Sequence, residues 1–105
     1  MRLNWKPEAE KTLDDIYRFY FYKSERAAYE IAKDIRDAAK KLKTFPYLAS
    51  VEPDLEGFSE TLRALVVRRL FKIIYYVDNN EIVIVTVWDC RQNPQTLKTQ
   101  IKKLK

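Results

Sequence analysis

Two apolar runs, Phe71 to Val77 and Ile82 to Trp88, dominate the hydrophobic pattern of the chain, joined by Asp78-Asn79-Asn80-Glu81. An Asn-Asn pair accepts the left-handed backbone of a tight turn, so the two runs read as a β-hairpin. Both runs are apolar at nearly every position and not at every second one. Strands of that kind are covered on both faces or lie in the middle of a sheet. Thr61 to Val67 predicts another strand, with Arg68-Arg69-Leu70 as the turn that leads into the hairpin.

Upstream of the sheet the period changes. Arg2-Leu3-Asn4-Trp5 alternates and predicts a short strand, placed at an edge, burying Leu3 and Trp5. Pro7, followed by Glu8 and Glu10, suits the start of a helix running to about Tyr22, since proline needs no N–H there and acids favour the positive end of the dipole. Ala9, Leu13, Ile16, Tyr17 and Tyr20 form its apolar stripe, and the aromatic cluster from Tyr17 to Tyr22 reads as core, with base stacking as the alternative. Ser24 can cap a second helix with the stripe Ala28, Ile31, Ile35, Ala38 and Leu42. Only Lys23-Ser24 separates the two, which predicts an antiparallel helical hairpin on one face of the sheet. Lys40, Lys41 and Lys43 then read as cations at a helix C-terminus. Phe45-Pro46 ends the second helix, and a loop follows to about Ser59. After the last strand, Asn93 and Pro94 can start a final helix whose stripe of Leu97, Ile101 and Leu104 is thin enough to dock weakly.

The order β-α-α-β-β-β-α is an α+β pattern with a mostly antiparallel sheet. At 105 residues and 47% hydrophobic content, residues 1–105 form a single domain. No apolar stretch reaches the roughly 18 residues of a membrane helix, and the N-terminus lacks the apolar segment of a secretory signal, so the expected compartment is the cytoplasm. One cysteine, Cys90, excludes an internal disulfide; without histidine the chain cannot build a His/Cys zinc site, and nothing marks a carboxylate metal site or a cofactor.

Charge is distributed unevenly. Residues 1–60 carry 11 Lys/Arg and 12 Asp/Glu, whereas residues 61–105 carry 9 and 3, so the net +5 belongs to the sheet and the tail. A positive field of this kind attracts DNA, RNA or an acidic protein segment without choosing among them.

Taken in order, Pro7, Phe45-Pro46, Leu62-Arg63, the run Phe71 to Val77 and the segment Ile84 to Pro94 resemble the RelE/ParE superfamily of bacterial toxins from type II toxin–antitoxin systems. The resemblance implies a compact sheet-and-helix toxin fold, plasmid stabilisation, and a cognate acidic antitoxin that neutralises the toxin. A homodimer and a toxin–antitoxin hetero-oligomer both stay open. It also implies a choice of target: RelE-like members cut mRNA on the ribosome, and ParE-like members poison DNA gyrase. Arg63, Lys72 and Arg91 match basic positions of the family, while Asp89 stands where histidine is often found. Target-binding candidates are Arg63, Arg68, Arg69, Lys72 and Arg91. Catalytic candidates are Arg63, Lys72, Asp89 and Arg91.

RNA cleavage by the 2′-OH needs a base, an acid and cations around the phosphorane. The basic residues could supply the cations, but no side chain here has an ordinary pKa near neutrality. Asp89 would have to act as base and Tyr75 or Tyr76 as acid. Asp89 beside Arg91 reads first as an ion pair or a turn contact, and Cys90 lacks the imidazole a nucleophile needs. The chemistry therefore favours gyrase inhibition by binding, with ribosome-dependent RNA cleavage or a non-toxic basic binding module as alternatives. The expectation for the site is that Arg63, Lys72 and Arg91 converge on the sheet face away from the helices, if the register allows it, and tolerate neutral replacement.

Overall fold

The computed structural model describes residues 1–104. Strand β1 (Arg2–Trp5) leads into helices α1 (Pro7–Phe21) and α2 (Glu25–Lys41). Then come β2 (Ser50–Val51), a 3-10 turn (Pro53–Leu55), β3 (Arg63–Val67), β4 (Phe71–Asp78), β5 (Glu81–Asp89) and helix α3 (Pro94–Leu104). The five strands lie in the order β1-β5-β4-β3-β2; β1 runs parallel to β5 and the other pairings are antiparallel.

The two longest strands are central because both of their faces are apolar. On one face Phe71, Ile73, Tyr75, Ile82, Ile84 and Val87 meet Leu13, Ile16, Ile31 and Ile35 of the helical hairpin. On the other, Ile74, Val85 and Trp88 meet Leu55, Leu62, Leu97 and Ile101. A register shift explains how β5 serves both. Ile74 lies opposite Thr86 but Tyr75 lies opposite Ile84, leaving Val85 as an extra residue that joins the second cluster. Beyond the end of β1, where β5 has no neighbouring strand, Thr12 of α1 closes the edge: its Oγ1 accepts the Val87 N–H at 3.0 Å.

The capping and turn signals act as the sequence implies. Ser24 Oγ accepts the Ala27 N–H at 3.1 Å, and Asn93 Oδ1 accepts the Gln95 N–H at 3.0 Å. Asn79 (φ 48°) and Asn80 (φ 63°) supply the left-handed hairpin turn.

Three expectations change. The loop after α2 contains β2, a strand of two residues and thus too short to show a period. The aromatic cluster of α1 is not all core: Phe19, Phe21 and Tyr22 are exposed, because they fall off the stripe that Leu13 and Ile16 define. Helix α3 docks firmly and does not hang on a weak stripe, since Leu97 (2% exposed) and Ile101 (0%) sit in the second apolar cluster. Leu104 is exposed, and Lys105 lies outside the described residues. Among the described residues no helix is long and apolar enough to cross a membrane.

Candidate functional site

Strand register settles where the basic residues go. Arg63 lies opposite Tyr75, three residues from Lys72, and an odd offset along a strand places two side chains on opposite faces. Arg63 therefore stands on the helical-hairpin side. Its Nη1 donates to Ala49 O at 2.8 Å and its guanidinium lies 5.0 Å from the Tyr47 ring, so it ties the loop before β2 to the sheet.

Lys72 lies on the other face, opposite Trp88, and its Nζ donates to Glu52 Oε1 at 2.5 Å. Glu52 is only 6% exposed. The hydrogen bond to Glu52 raises the Lys72 ammonium above its ordinary value, against the opposing effect of burial.

Arg91 lies past the end of β5 and turns back on Asp89. Its Nη2 donates to Asp89 Oδ2 at 2.6 Å, its Nε to Oδ1 at 3.0 Å, and its backbone N–H to Oδ1 at 2.9 Å. The same guanidinium lies 5.6 Å from the Phe19 ring and 5.7 Å from the Tyr20 ring. These bonds hold the Asp89 carboxyl below the usual carboxylate range and raise Arg91. Asp89 is thus an ion-pair and turn residue. The cluster expected of Arg63, Lys72 and Arg91 does not form.

A different grouping exists at the end of the sheet. Arg68 and Arg69 occupy the β3–β4 turn, whose Leu70 O accepts the Cys90 N–H at 2.8 Å, so the turn and the exit of β5 run side by side. Arg68 Nη1 donates to Asp34 Oδ2 of α2 at 2.7 Å. Arg69 is exposed and has no carboxylate within 4.0 Å among the described residues. Beside them a groove of about 340 Å³ runs between α1, β5 and α3, lined by Asp15, Phe19, Asp89, Arg91, Gln92 and Gln100 among others.

Glu52, Asp34 and the two rings under Arg91 escaped the sequence reading. Each is separated from its partner by 20 residues or more, and no local pattern announces such a pair. Tyr75, considered as an acid, is fully buried; its hydroxyl donates to Pro46 O at 2.8 Å, and burial pushes its pKa up. Burial likewise raises the Cys90 thiol, although neighbouring Lys72 opposes this, so Cys90 is a poor nucleophile. Among the described residues no group of His, Cys, Asp and Glu is arranged to hold a metal ion. What the site offers chemically is fixed cations and exposed rings.

No curated protein matches the chain at a significant level. Among solved structures it is similar to a chain of the chromosomal ParDE toxin–antitoxin system from P. aeruginosa, with 25% identity and a TM-score of 0.71 over 85% of this chain and 95% of the other. The family model for the ParE toxin of the type II parDE toxin–antitoxin system matches residues 3–94, nearly the whole sheet and helical hairpin. The chain therefore belongs to the ParE toxin family of type II toxin–antitoxin systems.

Proposed function

We propose that this protein arrests bacterial growth by binding and poisoning DNA gyrase, and that a cognate acidic antitoxin neutralises it. The observation that carries the reading is the Asp89–Arg91 pair. At the position where an RNA-cleaving relative would need a proton carrier, the carboxylate is bound on both oxygens by the arginine two residues on. A base depressed in this way is too weak for efficient proton abstraction at neutral pH. Of the two candidate acids, Tyr75 is committed to a backbone carbonyl inside the core, and burial raises the Tyr76 hydroxyl above its ordinary value, which weakens it as a proton donor. Arginine and lysine without an acid–base pair support recognition of an anionic surface instead.

The test compares both targets with one preparation. Purified protein should inhibit gyrase supercoiling or trap cleaved DNA, and leave mRNA intact in a reconstituted translation reaction. In cells, induction should stop growth and co-expression of the cognate antitoxin should restore it. Codon-positioned cuts in mRNA with unimpaired supercoiling would reverse the reading in favour of a ribosome-dependent ribonuclease.

A further inference from the structure

The two tight hairpin turns of the sheet each place two successive residues in the left-handed region and differ in which residues they use. Between β4 and β5 the left-handed positions are held by Asn79 and Asn80, with φ of 48° and 63°. Between β3 and β4 they are held by Arg68 and Arg69, with φ of 57° and 58°. Asparagine tolerates this region because its short side chain bonds locally; a long side chain gains nothing to offset the clash of its Cβ. The second turn therefore carries residues that fold less well than those this chain uses eleven positions later. Arg68 has a structural reason to be there, its 2.7 Å bond to Asp34. Arg69 has no carboxylate within reach among the described residues, and it is exposed.

Its setting supplies the reason. The bond from Cys90 N–H to Leu70 O places the turn against the exit of β5, where Arg91 is fixed by Asp89 over Phe19 and Tyr20. We propose that Arg69, on the turn that lies against the exit of β5 carrying Arg91, is the contact through which this toxin grips an acidic segment on its protein target. The inference rests on the binding mechanism proposed above and locates it. The chemistry favours a protein carboxylate over a nucleic-acid backbone. Arg68 and Arg91 already spend part of their charge on Asp34 and Asp89, and Lys23 lies over the Phe19 ring at 4.8 Å, so the end presents one open guanidinium fork and few uncompensated cations. Polyphosphate binding needs many uncompensated cations, whereas a single exposed arginine fork, free to pair bidentately with one carboxylate, has the chemistry of a protein-interface anchor.

The test exploits the turn itself. Arg69→Gly should raise Tm by about 4–8 °C, the shift expected when one left-handed side chain is relieved in a domain of this size. It should at the same time require at least tenfold more protein for gyrase inhibition and for growth arrest, with antitoxin affinity unchanged. Arg69→Lys, which keeps the charge and loses the fork, should show most of the same loss without the gain in Tm. A variant that is stabilised and inactive excludes misfolding as the cause. Undiminished growth arrest by Arg69→Gly would overturn the proposal. So would loss of antitoxin affinity alone, or a loss confined to DNA binding with a steep salt dependence. A wild-type protein that arrests growth without affecting gyrase would refute the gyrase reading, while the growth assay would still decide the contact.

Discussion

At Lys72 one contact separates a replaceable surface cation from a structural one. The sequence implies a solvated residue whose neutral replacement changes stability by no more than about 0.5 kcal/mol. Its partner is a carboxylate that is 6% exposed, so removing the lysine leaves Glu52 buried and uncompensated. Lys72→Gln should destabilise the fold by about 1–3 kcal/mol in denaturant titrations at neutral pH. The folded-state pKa of Lys72 lies above its unfolded value, so the contribution is fully present below the ordinary lysine value of about 10.4 and is lost as pH rises through the folded one. The gap between wild type and Lys72→Gln should therefore stay constant from neutral pH up to about 10 and shrink beyond it; a gap that is absent at neutral pH would show the pair to be ornamental. Residue types were legible in the sequence here and their partners were not. Asp89 with Arg91 could be read because two residues separate them, whereas Glu52 with Lys72 depends on where a loop crosses the sheet.

Among elements, the periodic segments were legible, the four-residue strand β1 included, whereas the two-residue strand β2 and the firm docking of the half-apolar α3 were not. Helices α1 and α2 and the β4–β5 hairpin follow from stripes, caps and an Asn-Asn turn; α1 and the hairpin appear within a residue of the expected bounds, while α2 ends at Lys41, short of the expected stop at Thr44-Phe45-Pro46. Strand β2 is invisible in sequence because two residues carry no period, and its pairing with β3 at Ser50–Ala64 and Val51–Arg63 is a tertiary choice. Helix α3 shows why a thin stripe can mislead. Two inward residues suffice when they land in a cluster already formed by Leu55, Leu62, Ile74, Val85 and Trp88. Burying each contributes about 1.5–3 kcal/mol, well above what a three-turn helix can supply by propensity alone. Ile101→Ala should lower global stability by about 2–5 kcal/mol. If α3 instead frayed independently, the variant would lose helical signal at low denaturant without moving the main transition.

Over the whole molecule the question becomes which cations remain after internal pairing. Along α1 and α2 most charges are neutralised in place, as in Lys11–Asp15, Arg18–Asp14, Arg26–Glu30 and Lys33–Asp37. Exposed i,i+4 pairs of this kind add little stability, but they erase the field of the helices. Helix α3 does the opposite: Lys98, Lys102 and Lys103 are exposed, the helix contains no acidic residue, and no carboxylate lies within 4.0 Å of them among the described residues. Compact, strongly hydrated ammonium groups without carboxylate partners, these lysines have the makings of steering charges more than of interface anchors. For the acidic antitoxin proposed above, the triple change of Lys98, Lys102 and Lys103 to Gln should slow association several-fold at about 0.05 M salt and leave dissociation nearly unchanged. The difference should vanish near 1 M salt, where the screening length falls to about 3 Å. Stopped-flow association across a salt series would measure it. A change concentrated in the dissociation rate would instead place α3 inside the contact, in an interface where its lysines are desolvated and not merely felt from a distance.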